Sequence, residues 1–462
     1  MLNEELINKW QPVLDHEDLP QIKNHYRKVV TAQMLEQQEQ AMREQANVQG
    51  AGSASLLGES STPETLTANA DKFDPVLISL VRRTAPNLIA FDIMGVQPMS
   101  GPTGLIFALR PTYGTGVNGV ADGANAFYTE ANTGFSAGTN GNLPAWASQN
   151  SSDDGYGNSA NVMFNAAAAE GLNAIRTGAA TDTAEGWGGA AFGSNPTTQI
   201  PSMSFQIDKT TVTAVSRALK AEYSVELAQD LKAIHGLDAE TELANILTTE
   251  INAEINREIV RSVYMSCTGV DAVDGRGTAN ISQLGGTTGV LDGRWLVERF
   301  KALVYKIETE ANAIAKNTRR GKGNFIICSS DVASALATAG VLDPTAALTV
   351  DDTGSTFAGT IGSGMKVYID PYSYTGDDFI VVGYKGTSPY DAGMFYCPYV
   401  PLQMVRAIGE DNFQPKIGFK TRYGVGINPF ATNDTRATGP AVGQSNRYYR
   451  GFAVNYLNGV TL

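Results

Sequence analysis

An α+β fold is what this sequence predicts, with helices and strands segregated along parts of the chain. From Asp238 to Val263, apolar residues recur at three- and four-residue steps, which a helix places on one stripe. Further on, Phe325–Cys328, Lys366–Ile369, Phe379–Val382 and Met394–Tyr396 are short apolar runs bounded by Gly, Pro and Asp, the pattern of strands. No internal repeat of 20–50 residues suggests a solenoid.

The long helix organises the rest. Leu243, Ile246, Leu247, Ile251, Ile255, Ile259 and Val263 are predicted to share its core face. Glu250, Glu254, Arg257, Glu258 and Arg261 fall opposite, with Glu254–Arg257 and Glu258–Arg261 spaced to pair across a turn. Asp238 is the expected N-cap, and Gly236 ends a shorter helix, Ser224–His235, in a left-handed conformation. At 1.5 Å per residue the run is roughly 40 Å long, the length of a structural spine.

Ahead of it, Leu2, Leu6 and Ile7 open an amphipathic segment. Thr31–Gln45 reads as a Gln/Glu-rich helix, too polar to be stable without a partner. Gly50–Ser61 is a small-residue linker, so a boundary is expected near residue 59. Val76–Val81 is apolar, and Leu105–Leu109 is an expected strand. From Gly114 to Pro201 the chain is rich in Gly, Ala, Asn and Ser, with a helical pattern only at Val162–Thr177, and reads as a protruding loop or inserted subdomain. Met203–Val215 is an expected strand leading to the spine. Later come helices at Leu296–Asn317 and Asp331–Thr338, the second capped by Asp331, and strand-like runs at Gly418–Phe430 and Tyr448–Tyr456.

Bulk properties narrow the function. A length of 462 residues predicts two or more domains. No apolar run approaches 18 residues, so no membrane span is expected, and Met1–Trp10 lacks the apolar segment of a secretory signal. Cys267, Cys328 and Cys397 are odd in number and far apart, against a disulfide framework or a CxxC metal site. A net charge of −13 opposes nonspecific nucleic-acid binding over the whole surface, and 48 glycines imply long turns and loops.

Catalytic chemistry is looked for and not found. Gly114-Thr-Gly116-Val-Asn-Gly119 has the dinucleotide GxGxxG spacing, but no helix follows to face a pyrophosphate. His16 and His25 lack ligand spacing, and His235 sits at a helix end where a cation suits the dipole. Asp153-Asp154 and Asp351-Asp352 lie in Gly/Ser-rich loops, where solvated turns are the default. The cluster Lys316, Arg319, Arg320 and Lys322 ends a helix, where capping is favoured over phosphate or partner binding. No nucleophile elbow, HExxH or Walker loop occurs. No catalytic, cofactor-binding or metal-binding residue is assigned.

Several long strings resemble one family. VRRTAPNLIAFDIMGVQPM (Val81–Met99) and PTGLIFALRPTYG (Pro102–Gly114) are similar to the N-terminal arm and following strand of the major capsid proteins of T-even-type tailed bacteriophages. Ser216–Val260 resembles that family's spine region. GKGNFII (Gly321–Ile327), VVGYKG (Val381–Gly386), DAGMFYCPYVPL (Asp391–Leu402) and NFQPKIGFKTRYGVGINPFA (Asn412–Ala431) resemble its later blocks, in the same order.

The resemblance implies a Hong Kong 97-type capsid fold with an N-terminal arm, extended loop plus insertion, peripheral domain with the spine helix, and axial domain. On this chain those parts are expected at 60–104, 105–202, 203–270 and 271–400, with C-terminal strands at 401–462. Residues 1–59 become a scaffold-interacting propeptide. The family's prohead protease prefers Leu or Ile two residues before Glu, which Leu57-Gly58-Glu59, followed by Ser60, matches. Cutting there removes nine carboxylates and five cations, a net −4, leaving −9 on 403 residues.

The implied function is a hexamer-forming shell protein of the virion, assembled in the bacterial host cytoplasm. Its implied partners are other copies of itself, an internal scaffold, the prohead protease, and vertex, portal and decoration proteins. A net-acidic shell also avoids gripping packaged DNA, and no sequence-specific nucleic-acid binding is expected. The alternatives are a vertex protein or nanocompartment shell of the same fold and, from another class, a secreted glycan-binding or hydrolytic protein. The missing signal sequence and the lack of a paired-acid site weigh against the last.

Overall fold

The computed structural model describes residues 2–16, 21–22, 24–53, 75–114, 126, 135, 202–269, 278–280, 296–343, 357–362, 364–372, 378–388, 390–408, 414–429 and 446–455. Its helices and strands make an α+β fold in two units. Unit 1 holds residues 1–106, 210–316 and 320–462; unit 2 holds 107–209 with 317–319.

Unit 1 begins with helices α1 (Leu2–Leu14) and α2 (His25–Ser53). The apolar run near Val76 forms α3 (Pro75–Thr84), burying Ile78, Leu80 and Val81. A short helix, α4 (Ala90–Ile93), leads into strand β1 (Gly95–Val96). β2 (Thr103–Tyr113) and β3 (Met203–Thr213), most of whose residues belong to unit 2, pair as a two-stranded ribbon, and β4 (Val215–Glu222) of unit 1 follows β3 in sequence. Helix α5 (Val225–Ile234) starts where the Ser224 hydroxyl accepts the Leu227 amide at 3.2 Å, and closes with Gly236 at φ +69°.

The spine is helix α6 (Ala239–Ser266), capped by Asp238. Leu247, Ile251, Ile255, Ile259 and Val263 are buried at four-residue steps, and Leu243 is half-buried. Ile246 departs from the sequence prediction, being 61% exposed. Four-residue steps run along one row of the helix, and Ile246 lies about 100° away from Leu247. Ala244 and Thr248 occupy the buried face instead.

The expected pairing along the helix is also replaced. Arg217 of β4 lies 2.9 Å from Glu254 and 2.5 Å from Glu258, whereas Arg257 turns to Asp370. These carboxylates and cations join elements distant in sequence, which a reading of helix spacing alone cannot show. Tyr423 completes the first cluster by donating to Glu258, and its hydroxyl accepts from Arg217 Nε at 2.5 Å.

Beyond the spine lie β5 (Cys267–Gly269), β6 (Thr278–Asn280), helix α7 (Leu296–Thr318), β7 (Phe325–Ser329), helix α8 (Ser330–Thr338), β8 (Leu342–Asp343), β9 (Phe357–Ile361), β10 (Lys366–Asp370) and β11 (Phe379–Gly383). Long strands β12 (Met394–Ile408) and β13 (Pro415–Ile427) precede β14 (Asn446–Asn455). One sheet has the order β1-β12-β13-β4, with β1 parallel to β12 and the other neighbours antiparallel. The other runs β5-β14-β11-β7-β10-β9-β8, with β6 also on β14.

Alternation along β7 and β10 serves two cores. Ile326, Cys328 and Val367 meet Leu303, Ile307 and Ile314 of α7 and Val332 and Leu336 of α8. Phe325, Ile327 and Tyr368 point the other way, into the cluster built on the spine. Within the first of these, Glu310 is fully buried and held by Lys306 at 2.8 Å and Arg450 at 2.7 Å.

Several ends differ from prediction. β12 extends well beyond Tyr396 because register shifts around Pro398, Val400 and Gln403 absorb the two prolines that break the pattern. Ser329, not Asp331, occupies the N-cap of α8; Asp331 lies in the first turn, where its charge suits the dipole. Lys322 pairs with Glu308, and Arg319 adopts φ +53° at the end of α7. At the root of the ribbon, Gly424 and Gly426 of β13 face Val212. A β-carbon at either would stand 2.5 Å from a Val212 methyl.

Candidate assembly surfaces

Two surfaces stand out, one covered and one open. The covered one lies under the N-terminal helices. α2 is polar by composition, yet Val30, Thr31, Ala32, Met34, Leu35, Gln38, Glu39 and Ala41 are buried. It packs against α1, α3 and β12, the partners such a helix requires. Lys9 reaches Glu36 at 2.7 Å and Glu39 at 2.6 Å, and the Trp10 indole donates to Glu36 at 3.0 Å. Burial raises the Glu36 carboxyl, but the hydrogen bonds from Lys9 and Trp10 outweigh it and hold that group below its ordinary range.

The polar side chains of α2 bond backbone elsewhere in unit 1. The Tyr26 hydroxyl donates to the Val96 carbonyl at 2.5 Å and accepts the Val96 amide at 3.2 Å. Burial pushes this phenol up to about 12. Gln37 donates to the Met99 carbonyl at 2.8 Å. The Gln38 amide donates to the Leu402 carbonyl and accepts the Leu402 N–H at 3.2 Å. Arg27 pairs with Asp92 and reaches the Pro86 carbonyl at 3.3 Å, while buried Arg82 of α3 donates to the Leu14 carbonyl at 2.8 Å. Sequence reasoning missed these residues because Gln, Tyr and Arg read as solvent-facing. The available signal was spacing: Tyr26, Val30, Met34, Gln38 and Ala41 fall on one stripe, mixing polar and apolar members.

The open surface is the ribbon. Alternation along β2 and β3 leaves Leu105, Phe107, Leu109, Met203, Phe205 and Ile207 exposed, with Phe205 at 67%. On the opposite face Arg110 is buried; it donates to Gln206 at 2.8 Å and lies 3.3 Å from Asp208. The ribbon thus pairs its arginine on one face and shows apolar side chains, with exposed Lys209 beside them, on the other. Six large apolar side chains on one face mark a surface for a partner.

The maturation residues Leu57, Glu59 and Ser60 lie outside the described residues, as do the Val162–Thr177 pattern and the Asp153-Asp154 and Asp351-Asp352 pairs. Gly114 of the GxGxxG string donates its amide to Ser202 across the ribbon at 2.8 Å; Gly116 and Gly119 lie outside the described residues. Among the described residues no three His, Cys, Asp or Glu side chains are grouped to hold a metal, and no helix is long and apolar enough to cross a membrane.

The proteins this chain resembles in sequence include capsid proteins of bacteriophages. The chain belongs to the family of the major capsid protein Gp23, which it matches over residues 70–454. It is 39% identical to the major capsid protein of Serratia phage KSP90 over 444 residues, 93% of this chain and 91% of that one. Identity to the major capsid protein of Enterobacteria phage T4 is 39% over 490 residues, 94% and 93% of the two chains. The capsid vertex protein of the same phage is 29% identical over 247 residues, 50% of this chain and 54% of that one. Among solved structures, the capsid of Myoviridae phage XM1 matches 79% of this chain and 92% of its own, at 9% identity and a TM-score of 0.38. Family membership gives the chain the Hong Kong 97-type capsid fold and a place in the head shell of the virion.

Proposed function

We propose that the chain assembles as hexamers into the shell around the phage genome, and is matured by cleavage after Glu59. The family match carries the shell role. The apolar ribbon face supports lateral contact between copies, since a chain that worked alone would gain nothing by exposing it. Support for processing is that the docked helices α1 and α2 precede the family match, which begins at residue 70. Leu57-Gly58-Glu59 stands between them and the arm. An internal scaffold and a prohead protease are the partners of the uncut chain; portal, vertex and decoration proteins join the shell. The role is structural, with no turnover of its own.

A vertex role for this chain is the weaker reading, because the vertex protein matches only half of it. Intact-mass analysis and N-terminal sequencing of shell protein from mature virions test the processing. A chain starting Ser60-Ser61-Thr62 is expected; one starting at Met1, or well away from Ser60, overturns it. Electron microscopy of the expressed protein tests the assembly, with six-fold capsomers or closed particles as the expected result and isolated monomers as the contrary one.

A further inference from the structure

We propose that the N-terminal segment caps the outer edge of β1 and β12, and that its removal opens this edge to an extended segment of a second copy of this chain. The proposal rests on the reading that the segment is removed.

The ladder shows which groups face outward. Gln97 donates its amide to the Tyr396 carbonyl and Met99 donates to the Pro398 carbonyl, both at 2.9 Å. The alternate residue Val96 therefore turns its own N–H and C=O away from β12, and both end on the Tyr26 hydroxyl. Past Pro398, the next outward residue bonded to α2 is Leu402. Its N–H and C=O both end on the Gln38 side-chain amide. In each case one side chain satisfies the donor and the acceptor of one strand residue, which is what an added strand would do.

The spacing matches along the whole edge. Tyr26 and Gln38 are twelve residues apart, about 18 Å of helix. Val96 aligns with Tyr396, and Tyr396 and Leu402 are six residues apart, about 20 Å of strand. Helix α2 runs along the edge and bonds it at both ends, with Gln37 on the Met99 carbonyl between them. Covering an edge with a helix is a general way to stop strands from pairing between molecules.

A second copy fits as the later occupant for two reasons. In a shell built chiefly of this chain, most lateral neighbours of a copy are other copies. A bare strand edge recognises backbone, so it needs no dedicated side-chain pocket. Val405 and Ile408, exposed further along β12, add apolar surface beside it.

The test uses the full chain with a site-specific protease sequence replacing residues 56–59, cut after purification, so it does not depend on where natural processing occurs. Hydrogen exchange at the Val96 and Leu402 amides is read before and after the cut, with sedimentation across a concentration series. Slow exchange is expected in the uncut chain, and at least about tenfold faster exchange in dilute cut chain once the segment has left. Protection should return as copies associate at higher concentration. In the uncut chain, Tyr26→Phe with Gln38→Met should speed both amides without any cutting. A segment that stays bound after the cut, amides that stay slow in the monomer, copies that fail to associate, or copies that associate with both amides still fast would each overturn the proposal. A virion chain starting at Met1 would remove the natural trigger but leave these exchange results standing.

Discussion

Arg257 of the spine donates to both carboxylate oxygens of Asp370, at 2.8 and 2.6 Å, and the Asp370 side chain is only 2% exposed. Tyr264, two turns along the same helix, adds its hydroxyl at 3.0 Å. Burial, and then Asp370 itself, pushes the Tyr264 phenol far up, so it stays a donor. The spine is thereby fastened to β10 of the second sheet. Arg257→Ala should cost about 3–5 kcal/mol, because it leaves a buried carboxylate without its cation. Calorimetry of the single variants and the Arg257→Ala/Asp370→Ala pair checks this; additive losses would show that the two are not coupled.

The helix face gives a paired prediction. Ile255→Asp places an unpaired charge in the core and should cost several kcal/mol. Ile246→Asp, on the exposed side, should stay within about 0.5 kcal/mol. Chemical denaturation separates the two. Soluble, assembly-competent Ile255→Asp protein would mean that the face is misassigned.

Phe107→Asp with Phe205→Asp alters only exposed apolar positions of the ribbon. Its melting temperature should stay close to that of the parent chain, while shell formation is lost. Particles of normal yield under the electron microscope would remove the ribbon face from the assembly interface.

Lys385 provides a pH test. Its side chain is half-buried and its ammonium donates to the Phe91 carbonyl. Burial lowers its pKa to about 8, Asp92 pulls it partly back, and Arg27 and Lys366 push it further down. The folded value lies below the unfolded one, so between about 8 and 10.5 the unfolded chain binds more protons and stability rises with pH. Measured against Lys385→Met, the parent should gain about 3 kcal/mol across that window and show a constant difference below it. A difference that is flat from pH 8 to 10.5 would contradict the assignment.

How much of this was legible depends on the kind of signal. The spine follows from four-residue spacing alone, because Leu247, Ile251, Ile255, Ile259 and Val263 repeat without interruption. Ile246 could not be placed by residue type, since apolar residues also occupy surfaces. Most of β12 was hidden by Pro398 and Pro401, whose effect is absorbed by register shifts that arise only when β13 is present. The partners of Arg217, Arg257 and Gln38 lie 37 to 364 residues away, and no local pattern reports contacts across such separations. The ribbon strands were partly legible, but their exposed apolar face was not. Alternation tells which residues share a face, and leaves open which face meets the core.

Gly424 and Gly426, set against the two methyls of Val212, impose an order on how this chain can change over generations. Every amino-acid replacement of a glycine adds at least one carbon, so at these codons only silent changes leave the ribbon root undisturbed. At Gly426 a larger residue becomes admissible only after Val212 has shrunk, for example through Val212→Ala, which a valine codon reaches in one base change, and the Ile106 side chain has swung aside. At Gly424 the Thr213 carbonyl oxygen, 2.8 Å from any β-carbon, bars one even then. The reverse order passes through a crowded intermediate. The root is therefore expected to diverge as a linked block, with Val212 changing first, while Leu105 and Phe205 drift in step with whatever surface they meet.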